Sequence, residues 1–105
     1  MNQEEFLDFV SDKIDDMKAR DIVKIDVSEK STVTDTMIVC SGNSKRHVAS
    51  IAENVVIETK RIGHAPLNVE GKETGEWVLV DLGEIVVHVM QDETRDFYQL
   101  EKLWQ

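Results

Sequence analysis

The sequence predicts an α/β fold, a mixed β-sheet flanked by helices, on three observations. Two stretches, residues 2–19 and 44–62, carry apolar residues at the spacing of an amphipathic helix. Short runs rich in valine and isoleucine lie between and after them, and such runs are typical of strands. The last run, Gly75 to Met90, has the pattern of a β-hairpin. Helices with one apolar face bury it most simply against a sheet, and 105 residues suit a single domain over residues 1–105.

The first helix is predicted over residues 2–19. Asn2 can cap its start, and Glu5 stands three residues on, in the capping-box position. The residues of its buried face recur at steps of three and four: Phe6, Leu7, Val10, Ile14 and Met17. The next run, Ile22 to Val27, alternates apolar and polar residues, which predicts a strand with one face in solvent.

A second strand is predicted from Met37 to Cys40. This short apolar run is unbroken, as in a strand that is buried on both faces. Cys40 is therefore interpreted as a core residue and not as a reactive thiol. The polar stretch from Ser41 to His47 is interpreted as a strand-to-helix turn, with Asn43 or Ser44 as the N-cap of the second helix.

The hairpin is the most strongly predicted part of the sheet. A short extended piece, Leu67 to Glu70, precedes it. Its strands, Trp77 to Val80 and Ile85 to Met90, are joined at Leu82-Gly83, where glycine can take the positive φ of a tight turn.

A final helix is predicted to begin at Asp92 or Thr94. Phe97, Leu100 and Trp104 recur at i, i+3 and i+7, so we expect them to form its buried face. The predicted order is therefore helix, two strands, helix, a short strand, the hairpin and a last helix.

Composition narrows the classes of partner and the compartment. The net charge of −9 is opposite to the basic surface that non-specific nucleic-acid binding requires. Such a charge is commonly a matter of solubility, and it also suits a partner with a basic protein surface. One cysteine excludes an internal disulfide, and no apolar run approaches the roughly 20 residues that span a bilayer. The acidic N-terminus lacks the basic region of a signal peptide, so we expect a cytoplasmic protein.

An enzymatic alternative starts from the Ser41–His47 turn. A helix N-terminus with Lys45 and Arg46 could hold a phosphate, which suggests a nucleotide-binding protein or a nucleotidyltransferase. Nucleotidyl transfer typically uses an Asp-x-Asp pair on a strand to hold magnesium ions. None of the 21 acidic residues has another acidic residue two positions away, and no histidine has metal-ligand spacing. Plain helix capping therefore explains the turn better, and we expect neither a metal nor a cofactor.

The hairpin and the last helix suggest a binding surface instead. Alternation places Trp77 and Asp81 on one face of their strand, and an aspartate rarely faces a dry core. Tyr98 directly follows Phe97 and is expected to point away from the core. Tryptophan, tyrosine and methionine are enriched at interfaces. The candidate apolar anchors are Trp77, Leu82, Met90 and Tyr98. The alternative, that Trp77 is a core residue, stays open on the residues alone.

Several segments spread along the chain resemble the ribosomal silencing factor family, also called Iojap-like. The most specific are Gly75-Glu76-Trp77, Val87-His88-Val89 and the end of the chain from Phe97 to Trp104. The stretch from Asp35 to Ser44 and the Arg95-Asp96 pair also match, so that the resemblance covers nearly the whole chain.

The resemblance implies a fold and a function beyond what the residues give. The family has a nucleotidyltransferase-like topology without catalytic carboxylates, and its members bind ribosomal protein fourteen of the large ribosomal subunit. They block association of the two subunits and so lower translation in starvation or stationary phase. They are commonly homodimers, and organellar relatives act in ribosome assembly. We expect the bacterial type over the organellar one, because the sequence shows no N-terminal extension.

On this reading the protein is not an enzyme and its site is a partner-binding surface. The four candidate anchors would supply apolar contacts. Glu70, Asp81 and Asp96 would complement basic side chains of the partner, mainly aiding orientation and the association rate. We expect no direct sequence-specific nucleic-acid contact and no membrane contact.

Overall fold

Five strands form one mixed sheet, and four helices lie against its faces, in a computed structural model that describes residues 1–104. The elements are α1 (Gln3–Asp16), β1 (Arg20–Asp26), β2 (Thr36–Gly42), α2 (Lys45–Arg61), β3 (Asn68–Glu70), β4 (Trp77–Asp81), β5 (Ile85–Gln91), α3 (Asp92–Tyr98) and α4 (Leu100–Trp104). The strand order is β1-β2-β5-β4-β3. β2 and β5 are parallel, and the other neighbours are antiparallel. The predicted mixed α/β fold is confirmed.

The start of α1 follows from its capping residues. The Oδ1 atom of Asn2 accepts a hydrogen bond from the N–H of Glu5 at 2.8 Å, and the N–H of Asn2 donates to Oε1 of Glu5 at 3.2 Å. The predicted capping box is therefore present. The helix is shorter than predicted, because Lys18 takes a φ of 61° and β1 begins at Arg20.

The larger core lies between the sheet and the pair α1 and α2. It combines the predicted helix faces with the inward side chains of β2, β4 and β5, as a two-layer packing requires. The fully buried members with the largest side chains are Val10, Ile14, Ile38, Val48, Ile51, Val55, Val78, Val80 and Ile85.

A smaller core lies on the opposite face of the sheet. Its buried members are Ile25, Val27, Met37, Val39, Met90 and Leu100. β2 contributes to both cores, which confirms the strand predicted to be buried on both faces. α3 lies over β2 and β5, and α4 lies over β1. The β4 side chains of this face, among them Trp77 and Leu79, are consequently only half-buried.

The C-terminal segment differs from the single helix that the sequence predicts. Gln99 has a φ of 47°, and this left-handed residue separates α3 from α4. The break resets the helical phase, so Phe97 and Leu100 do not share a face. Leu100 is buried as expected, whereas Phe97 is 74% exposed, and the prediction that Phe97 lies in the core is wrong.

Candidate partner-binding surface

An aromatic surface, formed by Trp77, Phe97 and Tyr98, lies where α3 passes the start of β4. β5 ends beside Trp77, because Trp77 pairs with Met90, and the chain turns at once into α3. The ring centroids of Trp77 and Tyr98 lie 5.0 Å apart, and those of Phe97 and Tyr98 also lie 5.0 Å apart. Tyr98 is 53% exposed, so these rings offer contact area to solvent in a fixed arrangement.

A groove of about 280 Å³ continues the aromatic surface along the open part of the sheet, and Glu70, Gly71, Trp77 and Leu79 line it. Glu70 reaches the groove because it pairs with Leu79 across β3 and β4. Gly71 has a φ of 90°, and a Cβ atom there would lie 2.0 Å from the carbonyl oxygen of Trp77. Only glycine allows the chain to pass so close to Trp77. The groove therefore joins an apolar floor to one exposed carboxylate.

A hydrogen bond to the buried side chain of His88 holds the indole of Trp77 in place. The indole Nε1–H of Trp77 donates to Nδ1 of His88 at 3.0 Å. His88 is only 6% exposed, and its burial lowers the pKa of the imidazole to about 4. His88 is therefore a buried, hydrogen-bonded histidine that supports Trp77.

The charged residues predicted for the site are not gathered in one place. Glu70 lies in the groove. Asp81 lies at the far end of β4, where its Oδ1 atom accepts a hydrogen bond from the N–H of Gly83 at 2.9 Å and so stabilises the hairpin turn. Asp96 is exposed on α3 and lines a separate cavity of about 460 Å³ between β1, α3 and α4. The structure therefore brings only Glu70 to the side of Trp77.

The structure does not bring Leu82 and Met90 to the aromatic surface. Met90 is 0% exposed and lies in the smaller core, so the prediction that it forms part of an exposed patch is wrong. β5 is a central strand, and neighbouring side chains from Trp77 and Leu100 cover Met90 in the smaller core. Leu82 is half-buried against the larger core, about 16 Å along the chain from Trp77 at the usual rise of a strand.

Three residues that form, line or support this site are not predicted from the sequence: Phe97 in the aromatic surface, Leu79 in the groove and the buried His88. Leu79 lies two positions from Trp77 on the same strand face, and alternation alone could have selected it. Helical spacing predicts Phe97 in the core, because the break at Gln99 has no clear signal in the sequence. His88 lies opposite Leu79 in the register, but its bond to Trp77 depends on side-chain rotamers that a sequence does not give.

The Ser41–His47 turn uses its polar groups internally. The Oγ atom of Ser44 accepts from the N–H of His47 at 3.0 Å, which confirms Ser44 as the N-cap. The N–H of Asn43 donates to Nδ1 of His47 at 2.8 Å, and Nε2 of His47 lies 2.7 Å from the carbonyl oxygen of Met17. These bonds support the capping interpretation over a phosphate site.

The side chains around this turn carry both charges, and Arg20 pairs with Asp92 at 2.8 Å while its Nε–H donates to Oδ1 of Asn43 at 2.6 Å. A cavity of about 190 Å³ beside it is lined by Gly42, Asn43, Gln91, Asp92 and Glu93. Glu93 in that lining opposes a bound phosphate, and the guanidinium of Arg20 is already paired with Asp92. Within residues 1–104, no group of three or more histidine, cysteine, aspartate or glutamate side chains is placed to hold a metal ion. The helices of this same range include none that is long and apolar enough to cross a membrane.

Comparisons with known proteins agree over the whole chain. The family model described as "Ribosomal silencing factor during starvation" matches residues 1–105. The ribosomal silencing factor RsfS of Haemophilus influenzae is 46% identical over 98 residues, which are 93% of this chain and 96% of that protein. RsfS of Bacillus subtilis is 39% identical over 104 residues, covering 99% of this chain and 88% of that protein. A crystal structure of a protein from Chromobacterium violaceum is similar with a TM-score of 0.96 and 39% identity, over 99% of this chain and 87% of that one.

Proposed function

Because the chain belongs to the ribosomal silencing factor family, we propose that it represses translation by binding the large ribosomal subunit and preventing the small subunit from joining. Its partner in this proposal is ribosomal protein fourteen of the large subunit. Repression would operate in starvation or stationary phase, in the cytoplasm, where the ribosomes are. The relatives carry regulatory names, and we propose that this chain likewise acts without catalysis.

The aromatic surface is the observation that carries the proposal. Trp77 and Tyr98 are in contact, partly exposed and fixed to the sheet, which are the properties of residues that contribute most to interface affinity. The surface and the groove lie on the part of the sheet that no core fully covers. A partner seated there would bury Trp77, Leu79 and Tyr98 together.

Charge supports a protein partner over RNA. The chain carries a net charge of −9, which repels phosphates and attracts a basic ribosomal protein. Glu70, in the groove, would pair with a basic side chain close to the apolar contact, while Asp81 and Asp96 would act at longer range. Such outer charges mainly raise the association rate and orient the encounter.

Steric exclusion is a sufficient mechanism. The domain extends 34 × 30 × 21 Å, so that a bound copy would project well beyond the side chains it contacts. If ribosomal protein fourteen lies at the face where the small subunit docks, an occupied site prevents docking without any chemical step. The alternative of a nucleotide-dependent activity at the Ser41–His47 turn is disfavoured, because Asn43, Ser44 and His47 of the turn are bonded inside the protein.

The family resemblance also leads us to propose a homodimer. Size-exclusion chromatography with light scattering tests this directly, because a dimer has twice the 12.0 kDa mass of one chain. A mass of one chain at every concentration tested would contradict the dimer without affecting the proposed binding surface.

Binding to purified large subunits tests the surface. We expect the protein to co-sediment with large subunits, and Trp77→Ala and Tyr98→Ala to weaken binding at least tenfold, as for central interface aromatics. Ile57→Ala is the matched control, because Ile57 is a 52% exposed apolar residue on α2. A photo-crosslinking group at position 98 should label ribosomal protein fourteen. Folded Trp77→Ala and Tyr98→Ala proteins that bind as tightly as the unaltered chain would contradict the assigned surface.

A further inference from the structure

The only polar atom of the Trp77 side chain is used inside the protein. Indole Nε1–H is a donor without acceptor capacity, and here it is bonded to Nδ1 of His88 at 3.0 Å. An exposed tryptophan in an interface usually keeps this donor for its partner or for water. In this chain the partner is left with the ring face and the outer edge of Trp77.

The acceptor is held in place by the sheet. His88 is in the central strand β5, where it pairs with Leu79 on one side and Val39 on the other. Trp77 pairs with Met90, so that His88 is its diagonal neighbour across the strands. Diagonal neighbours on one face are within reach of an aromatic side chain. The register of β4 and β5 therefore places the imidazole under the indole.

A second restraint comes from α3. The ring of Tyr98 lies against that of Trp77 at 5.0 Å and 52°, while the His88 ring lies at 5.8 Å and 53°. The indole is thus held between a hydrogen bond from the sheet and a ring from the helix. Fixing a side chain before association lowers the entropy that binding must remove.

We propose that His88 is a positioning residue for partner binding, which fixes the indole of Trp77 by accepting its N–H and so presents the ring face to the partner. The proposal deepens the proposed function and rests on it. It assigns to a buried residue, with no exposed role of its own, a share of the affinity of the aromatic surface.

Two substitutions at position 88 separate positioning from packing. His88→Leu removes the acceptor and keeps an apolar side chain, whereas Asn in His88→Asn offers Oδ1 near the position of Nδ1. Val87→Ala is the control for lost stability, because Val87 is 0% exposed on the opposite face of the same strand. Circular dichroism establishes that each variant is folded.

The first readout is the indole N–H resonance of Trp77, assigned with a Trp104→Phe background. We expect this proton to exchange slowly with solvent in the unaltered chain, in His88→Asn and in Val87→Ala. In His88→Leu it should shift and exchange at least tenfold faster. An indole proton that is equally protected in His88→Leu would overturn the proposal, because the hydrogen bond would not hold the ring.

The second readout is the affinity for purified large subunits. We expect His88→Leu to weaken binding about fivefold, within the range for one immobilised side chain, and His88→Asn to recover most of that loss. A freed indole in His88→Leu with unchanged affinity would overturn the proposal while the proposed function stands. If the unaltered chain does not bind large subunits, the proposed function fails, and the role of His88 in binding fails with it.

Discussion

Arg95 on α3 and Glu101 on α4 are joined across the left-handed residue Gln99, with Nε of Arg95 2.6 Å from Oε1 of Glu101. The side chains are only 12% and 19% exposed. The same guanidinium donates from Nη1 to Oγ of Ser41, at the end of β2, at 2.9 Å. Arg95 therefore links α3 to α4 through Glu101 and to the sheet through Ser41. These bonds fix the position of α3, in which Tyr98 lies against Trp77.

Removing the contacts of Arg95 with Glu101 and Ser41 should lower the stability of the fold and disturb the contact between Tyr98 and Trp77. We expect Arg95→Met to lower the free energy of unfolding by about 2 kcal/mol, because a partly buried carboxylate and a buried hydroxyl lose their charged partner. Urea denaturation measures the change. Lys72→Met is the matched control, since Lys72 and Glu53 form an ion pair whose side chains are 49% and 44% exposed, and we expect it to leave the midpoint nearly unchanged. Equal midpoints for the two variants would contradict the role of Arg95.

Acid should destabilise the fold through His88. Burial lowers the pKa of His88 from its ordinary value of 6.5 to about 4, so the unfolded chain binds the proton more readily between these values. The stability that comes from keeping His88 neutral is present in full above pH 6.5 and is lost as the pH falls toward 4. This loss of stability amounts to at most about 3.5 kcal/mol, since one pKa unit corresponds to about 1.4 kcal/mol.

Urea midpoints at a series of pH values measure this loss. His88→Asn, which has no imidazole at that position, should show a smaller decrease in stability between pH 6.5 and 4.5. Contributions from the other titrating groups are common to both proteins. Parallel pH profiles for the two proteins would show that His88 does not account for the acid sensitivity.

Gly63 and Gly71 allow the cost of a left-handed backbone to be measured apart from the cost of a steric clash. Gly63 and Gly71 both have positive φ, of 83° and 90°. A Cβ atom at Gly63 meets nothing within 4 Å, whereas at Gly71 it would overlap the carbonyl of Trp77. We expect Gly63→Ala to cost about 1 kcal/mol, the strain of a left-handed alanine, and Gly71→Ala to cost clearly more.

Thermal unfolding and large-subunit binding together report this difference. Gly71→Ala should also weaken binding, because the clash displaces the backbone that carries Trp77. Gly63→Ala, at the C-terminal end of α2, should bind like the unaltered chain. Similar stability losses for both variants would mean that the close approach at Gly71 is not needed.

Cys40 should be unreactive until the fold opens. The thiol is 0% exposed, and burial raises its pKa to about 12, so almost no thiolate forms at pH 8. We expect modification by a chromogenic disulfide reagent to follow the rate of global opening and to become fast in urea above the unfolding midpoint. Rapid modification under native conditions would contradict the burial of β2.

The sequence predicts the elements well where one periodicity persists. The alternation around Ile25, the unbroken run at Ile38 and the capping box at Asn2 are each local signals, and the structure confirms them. Alternation predicts Trp77 and Val78 on opposite faces of their strand, and the structure confirms this. Such signals require only the geometry of one helix or one strand.

The errors arise where one element covers another. Alternation gives the face of Met90 but not the indole and helix that bury it there. The left-handed backbone of Gln99 leaves Phe97 exposed, although helical spacing predicts that it is buried. A glutamine, unlike a glycine, does not predict a left-handed residue. Leu82 lies at the tip of the hairpin and still packs on the larger core. The candidate site is therefore only partly predictable from the sequence, because which of its residues are exposed depends on how other helices and strands pack over them.

Subunit joining tests the central claim most directly. Purified small and large subunits are mixed with the protein, magnesium is raised, and joined ribosomes are followed on a sucrose gradient. We predict that the protein migrates with the large subunit and that the joined peak is lost. Trp77→Ala should restore the joined peak, while Ile57→Ala should suppress it like the unaltered chain. A protein that stays at the top of the gradient, with joining unaffected, would contradict the account.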